Sequence, residues 1–462
     1  MIIGSRDTGM TATVQRQQRV FRLAMPAVSE QVLNTLVGLM DVVLVGRLPL
    51  AAAAALGYGS ATALAATGLA SEMFWTMTLL FMATGTGCTA LTARAKGAND
   101  AALGNGALRQ GLLLALVFGT VMGGCAVAFA EPVMSVYGAN PQVTQLGADF
   151  LRILGYAFVP TAISMVGMAS LRGAGDTKTP LYIMIGVNII NVVISYLLIG
   201  GAFGIAPLGV VGAAIGAATA RTVGAVVVII MLLRGRAGLI LNRALWPDRE
   251  MIQRIVRVGL PFAGEQMVFQ GALIIFLGMI TQLGTAAYAA HNLVIRIESL
   301  SFLPGWGYGI AASALVGQGL GAKDPDEAQA ATYEALRQTA LIMGALGLIM
   351  IVWPAWLLGL FVHDMDVVTI GTVPLQIAGA FQIAMGANFV LSGALRGAGD
   401  TKWPLYTKII STWGMRLPIS YLLLRTGGGL NGVWVAMGVD FIVQSLLAYW
   451  RFRQGQWRST VV

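Results

Sequence analysis

In this 462-residue chain the residues that could do chemistry are few and lie far apart. Asp41 stands in LVGLMDVVLVG, with no Lys or Arg within a helical turn. An acid at mid-bilayer costs about 2.5–3.5 kcal/mol on insertion scales. Such a carboxylate holds a proton, binds a cation or faces a water-filled cavity; a satisfied structural acid near the outer interface is the plainer alternative. Asn188, Asn191 and Ser195 follow one another at steps of three and four, which places them on one helix face. Their oxygens could complete a cation site with Asp41, or they could serve interhelical hydrogen bonds. Glu30 and Glu265 each stand four residues after a proline, Pro26 and Pro261, and proline can kink a helix. Their matched occurrence suits hydrogen bonds within each half; proton or cation binding is the other reading.

The remaining charged residues in apolar runs look structural. Arg296 and Glu298 are two apart and so do not face each other. Glu72 falls opposite Arg296 in the internal repeat, and each is expected to pair between helices. Asp440 and Arg416 are similar. His291 and His363 read as loop-proximal residues without metal-ligand spacing, and no metal is expected.

These residues must be positioned by helices in a membrane. Apolar residues make up 57% of the chain and charged ones 11%, against roughly 25% charged in a soluble domain. Mean hydropathy is +0.76. The apolar runs are long and continuous rather than ten-residue alternations, which excludes a β-barrel. Cys88 and Cys125 lie in apolar runs and read as buried thiols. At about 20 residues per crossing, the first run, Leu23 to Val45, is span 1. Further spans are expected at 52–92, 104–130, 142–168, 180–200, 208–233, 252–281, 286–320, 327–356, 367–393, 404–424 and 430–452. The second and eighth runs exceed one bilayer thickness, and Gly85, Gly87, Gly305, Gly307 and Gly309 are expected points of local breakage.

The chain repeats itself. LRGAGDTKTPLY (171–182) returns as LRGAGDTKWPLY (395–406), 224 residues later, with only Thr179 and Trp403 differing. Pro26 to Gln31 answers Pro261 to Gln266, Gly97-Ala98 answers Gly321-Ala322, and Ile194 to Leu198 answers Ile419 to Leu423. Such a period divides the chain into two halves. Six spans each, an even number, give two like-oriented six-helix lobes related by an axis along the membrane normal. The expected fold is an all-α integral membrane protein of twelve transmembrane helices: N-lobe 1–233, linker 234–251, C-lobe 252–462. With the N-terminus inside, 23 of the 29 Lys and Arg residues fall in inside segments. The +9 charge is then a positive-inside bias and not a nucleic-acid footprint, and both termini are expected in the cytoplasm.

Two like-oriented lobes suit rocking around a central cavity, exposed to each side in turn. No filter motif points to a channel. No phosphate loop points to ATP as the energy source, and no nucleophile elbow or zinc motif points to an enzyme. Twenty-two methionines fit a deformable cavity for varied ligands, and equally an ordinary membrane core. In LRGAGDTK, Gly173 and Gly397 can end helices and Pro180 and Pro404 can begin the next. It reads as a tight cytoplasmic loop, with conformational gating the alternative.

MDVVLVGRLP, the GAND and GAKD loops, the doubled LRGAGDTK and RLPISYLL occur in this order over nearly the whole chain. Together they resemble the multidrug and toxic compound extrusion (MATE) family. The resemblance implies a V-shaped pair of six-helix lobes. It also implies an antiporter, coupled to H⁺ or Na⁺, that exports organic, often amphipathic cationic compounds. Asp41 matches the acid of the family's first helix, and Asn191 an asparagine of the fifth at the N-lobe cation site. Ser195 stands where other members carry Asp or Asn. The glutamate two turns after the seventh-helix proline is replaced by Phe269. The tenth span has no acid, only Gln376, Gln382 and Asn388. Among the family's sites, the coupling site is therefore expected around Asp41. Pro26, Glu30 and Glu265 are secondary candidates. No cofactor is expected beyond the coupling ion. The expected partners are small organic substrates and the lipid bilayer, the expected state a monomer, and the expected location a bacterial inner membrane. A lipid or oligosaccharide flippase of the same superfamily is the alternative. A large lipid-linked anion would want several cavity-facing Arg or Lys, and few lie within the spans. A receptor or scaffold would need a soluble domain that the sequence lacks.

Overall fold

The structure is a computed structural model. It describes the backbone of residues 4–136, 140–201, 204, 206–241, 246–362 and 364–460, and side chains from residue 13 onward. His363 lies outside the described residues. The first half comprises α1 (Gly4–Gly46), α2 (Leu50–Leu56), α3 (Ser60–Met77), α4 (Leu79–Ala98), α5 (Ala101–Ala128), α6 (Ala130–Ser135), α7 (Pro141–Tyr156), α8 (Phe158–Gly173), α9 (Lys178–Gly200) and α10 (Gly209–Leu233). The second comprises α11 (Arg249–Thr281), α12 (Thr285–Gly321), α13 (Pro325–Val352), α14 (Pro354–Gly359), α15 (Met365–Ala380), α16 (Gln382–Ala398) and α17 (Lys402–Lys408). A π-helical segment, Ile409–Arg416, leads into α18 (Leu417–Arg425), and α19 (Gly429–Gln454) follows.

Among the described residues, 8 helices are long and apolar enough to cross a bilayer, or 10 if each of two bent pairs forms one span. The other two expected spans, 286–320 and 404–424, fall on α12 and on α17 through α18. Both are helical; α12 carries His291, Asn292, Arg296 and Glu298 in its first half, and the second is divided by the π segment.

The bends fall in repeat-related places. α7 and α8 meet at 56° across Ala157, and α15 and α16 at 46° across Phe381, 224 positions later. Pro160 accounts for the first. It has no N–H for the Tyr156 carbonyl, and its ring crowds that group. Ala384 stands at the matching position of the second, and nothing in the structure explains that bend.

The breaks expected at Gly85, Gly87, Gly305, Gly307 and Gly309 do not occur there. The run 52–92 is interrupted twice, at Gly57–Gly59, where Gly57 takes a left-handed conformation, and at Thr78, whose hydroxyl donates to the Trp75 carbonyl at 2.7 Å, a bond that competes with the helix ladder. α12 runs unbroken through its three glycines. Those glycines serve close approach instead. A Cβ on Gly309 would lie 2.7 Å from the Phe389 carbonyl oxygen, and one on Gly393 would overlap the Gly309 carbonyl. Lipid gives helices no hydrophobic reason to associate, so small residues that let backbones touch supply the packing.

The chain forms two compact units, Met1–Val28 with Thr89–Asp100 and Arg257–Val462, and Ser29–Cys88 with Ala101–Val256. The first, the C-terminal unit, has two apolar cores. One gathers Val20, Ala24, Leu315, Leu391, Leu395 and Phe452. The other gathers Phe276, Val294, Ile297, Leu375, Phe381 and Trp434. Val20 and Ala24 place the start of α1 in this unit. Arg16 pairs with Glu327 at 2.7 Å, and Arg94 donates to the Ala398 and Thr460 carbonyls at 2.9 and 2.6 Å. The second, the N-terminal unit, is built around Phe158, whose ring lies 5.2 Å from Phe74 and 5.8 Å from Phe81.

Candidate functional site

In the N-terminal unit, α1 supplies Asp41, α9 supplies Asn188, Asn191 and Ser195, and α10 supplies Arg221. The steps of three and four hold on α9, and all three polar residues are buried. Asn191 Nδ2 donates to both carboxylate oxygens of Asp41, at 3.1 and 3.3 Å. Ser195 Oγ donates to Asn191 Oδ1 at 3.3 Å. Asn188 shares the face, but its Nδ2 is buried without a partner. α10 makes this possible with small residues: a Cβ on Gly216 would overlap Ser195 Oγ. Asp41 is itself half-buried, flanked by the exposed Met40 and Val42.

Arg221 is the residue that sequence spacing missed. Its charge acts on Asp41, and its guanidinium sits 4.6 Å from the centre of the Phe74 ring, a cation–π position. Asp41 is therefore isolated only along its own helix. The single available signal was a lone arginine in the apolar run 208–233, as unusual as the acid itself.

Glu30 and Glu265 occupy matching positions within their separate units. Arg172 Nη1 donates to Glu30 at 2.8 Å, and Arg396 Nη2 donates to both Glu265 oxygens at 2.8 and 2.9 Å. Both arginines belong to LRGAGDTK, so the repeated loop motif and the repeated Pro-x-x-x-Glu motif meet in space. Pro26 lies inside the continuous α1, half-buried. The motif's aspartates are paired as well, Asp176 with Arg236 and Asp400 with Arg451, each at 2.8 Å. Burial opposes the charge of Asp176. Donors from the Thr179 backbone and hydroxyl and from Arg236 outweigh it and hold its pKa below the ordinary carboxylate value.

Three further readings of the sequence change. His291 is not loop-proximal but buried within α12. Glu72 and Arg296 are both exposed, and neither forms an ion pair among the described residues. Glu298, by contrast, is buried under the charge of Arg416. Arg416 lies 3.7 Å from Asp440. Arg296 and Glu298, two residues apart, point to different sides of the helix; α12 turns Arg296 outward and Glu298 inward.

Chemically, the Asp41 arrangement is a carboxylate with one amide donor, a hydroxyl behind that amide and a guanidinium at a distance. It can hold and release a proton. To ligate a metal cation, Asn191 would have to turn its oxygen toward Asp41, away from the Ser195 hydroxyl.

A family model for MatE matches the chain twice, over residues 26–197 and 261–422. The chain is 30% identical over 441 residues to "Multidrug resistance protein NorM" of Burkholderia vietnamiensis, covering 93% of this chain and 92% of the relative. It is 29% identical over 449 residues to "Probable multidrug resistance protein NorM" of Thermotoga maritima, covering 96% and 94%. Among solved structures it resembles one described as the outward-facing conformation of a multidrug resistance MATE family transporter of the MOP superfamily, with a TM-score of 0.86, 23% identity and coverage of 96% and 97%. A MOP superfamily transporter from Pyrococcus furiosus aligns with a TM-score of 0.86 at 22% identity, covering 96% and 97%.

Proposed function

The chain belongs to the MatE family, and on that premise we propose that it is a secondary antiporter that exports amphipathic organic cations in exchange for H⁺ or Na⁺. The observation that carries this reading is the Asp41–Asn191–Ser195 chain in otherwise apolar surroundings. The carboxylate binds the ion and the substrate in alternation, so that each displaces the other. Coupling needs only that ion affinity differ between inward-facing and outward-facing states. Asn191 turns its N–H and not its oxygen toward Asp41, so Na⁺ would need the amide to turn before it could be ligated, whereas a proton would not. Arg221 lowers the cost of the ionised carboxylate after the ion leaves. The two lobes rock about the centre of the membrane to give alternating access, in a monomer lying in a bacterial inner membrane with both termini in the cytoplasm.

The test is transport of an organic cation in proteoliposomes with pH and Na⁺ gradients imposed separately. Wild-type protein is expected to accumulate the cation against a gradient. Asp41→Asn is expected to abolish accumulation at normal protein abundance. Accumulation that ignores both gradients defeats the antiport reading, and wild-type rates in Asp41→Asn remove Asp41 from it.

A further inference from the structure

The C-terminal unit contains a buried ionic cluster that no part of the Asp41 site uses. Its hub is Arg416, at the end of the π-helical segment. Its guanidinium lies 4.0 Å from the centre of the Phe276 ring on α11 and donates to Met437 Sδ on α19 at 3.1 Å. It stands 3.7 Å from Asp440, also on α19. On the α12 side its charge acts on both Glu298 and His291. These two are seven residues apart, two turns along one helix face. Lys408 closes the cluster from behind. Its Nζ donates to Gln444 Oε1 at 3.0 Å, and Gln444 Nε2 donates to Asp440 at 2.7 Å. From α16, Gln382 contributes a neutral amide, which accepts from Ser301 at 3.1 Å.

The two acids around Arg416 differ in one respect. Asp440 receives Gln444 at 2.7 Å and Thr412 at 3.2 Å in addition to Arg416. Donors aimed at a carboxylate favour its charged form. Glu298 is 6% exposed, and its Oε1 is buried without a partner. His291 Nδ1 and Arg416 Nε are buried without partners too. Where two acids share a site and only one is supplied with donors, the other is the one that takes up the proton.

We propose that Glu298 is a proton-binding carboxylate of the C-terminal unit, buried within the field of Arg416 and separate from Asp41. The occupant is a proton rather than a metal cation because a guanidinium sits in the same cluster and repels a metal ion. Among the described residues, moreover, no three His, Cys, Asp or Glu side chains converge to hold one. A proton needs no ligand shell. It neutralises Glu298 and leaves Arg416 to Asp440; its loss gives Arg416 two partners. π-helical turns recur at functional sites, and this one places the shared arginine. The role in coupling rests on the antiporter reading above, whereas proton binding itself does not.

The experiment is infrared difference spectroscopy of the purified full-length protein across a pH step, following the C=O stretch of protonated carboxyls. It is paired with the count of protons moved per ethidium in proteoliposomes. Asp41→Asn is expected to retain a pH-dependent carboxyl band. Glu298→Gln is expected to lose that band and to move one proton fewer per ethidium. Glu298→Asp keeps the carboxyl and should shift the band, which serves if Glu298→Gln does not elute as a folded species. A band unchanged in both Glu298 variants overturns the proposal, as does its complete loss in Asp41→Asn. Loss of the band in Glu298→Gln alongside wild-type protein that moves no protons with ethidium upholds the site and rejects H⁺ as the coupling ion; ethidium accumulation that ignores an imposed Na⁺ gradient as well rejects the antiport reading.

Discussion

Glu30 and Glu265 show how one residue type serves different ends in one chain. Each is buried within a turn of a proline and receives an arginine from the LRGAGDTK loop of its own half at 2.8 Å. Asp41 and Glu298 are also acids in apolar helices, yet neither has a direct ion pair among the described residues. Glu30 and Glu265 are thus held by an arginine within their own halves, whereas among the described residues Asp41 and Glu298 meet no cation directly. The paired class makes a stability prediction. Arg396→Ala strands the buried Glu265, and removing one partner of a buried pair costs about 3–5 kcal/mol. A marked fall in the detergent melting temperature is expected. Pairing that change with Glu265→Gln should recover much of the loss, because no buried charge remains. An unchanged melting temperature in Arg396→Ala would show that the pair contributes nothing. The sequence made Asp41, Asn191 and Ser195 legible, since an isolated acid and an i, i+3, i+7 polar face are both local signals. It did not make Arg221 or the Arg416 cluster legible. Arg221 stands 180 positions from Asp41, and Arg416 stands 118 from Glu298 and 24 from Asp440; no periodicity encodes which two helix faces meet.

At the scale of elements, glycine took a role that its propensity does not announce. Helix propensity marks Gly305, Gly307 and Gly309 as weak points, yet α12 is continuous and spends these positions on close contact, Gly305 and Gly309 against α16 and Gly307 against Val28 of α1. The physical reason is the membrane, which lacks the water that would attack an exposed glycine backbone and rewards van der Waals contact between helices. Gly393→Val should therefore do more harm than its small volume suggests, because the overlap is with the Gly309 backbone and not with a side chain that can turn away. Overpacking typically costs about 1–3 kcal/mol, and a backbone clash belongs at or above the upper end. Reduced yield of folded protein and a lower melting temperature are expected, while Gly278→Val, where nothing lies within 4 Å, should leave both near wild type. Equal behaviour of the two variants would remove close packing as the explanation. Every expected apolar run falls on helix, but the runs 52–92 and 404–424 are divided, and the bends within 142–168 and 367–393 were not marked by hydropathy. Pro160 was a readable cause for the first; the second has no marker in the residues.

At the scale of the whole molecule, the distribution of basic residues predicts how the chain lies across the membrane. Lys178 and Lys402 flank the repeated loops, and the segment 234–257 alone holds six basic residues, whereas Arg47 and Arg425 stand nearly alone on the opposite side. Short loops with Lys and Arg are retained on the cytoplasmic side, so the doubled LRGAGDTK, the linker and both termini are predicted to face the cytoplasm. The prediction is tested with single reporter thiols in intact cells. Cys88 is buried and Cys125 half-buried; replacing both with alanine clears the background. In that protein Arg47→Cys is expected to react with a membrane-impermeant maleimide added outside, and Lys178→Cys to react only after the membrane is opened. Both positions are exposed, so a failure to label reports the membrane and not burial within the protein. The reverse pattern would invert the molecule. It would then also place the Asp176 and Asp400 loops outside, and the direction of ion entry assumed for export would have to be reversed with them.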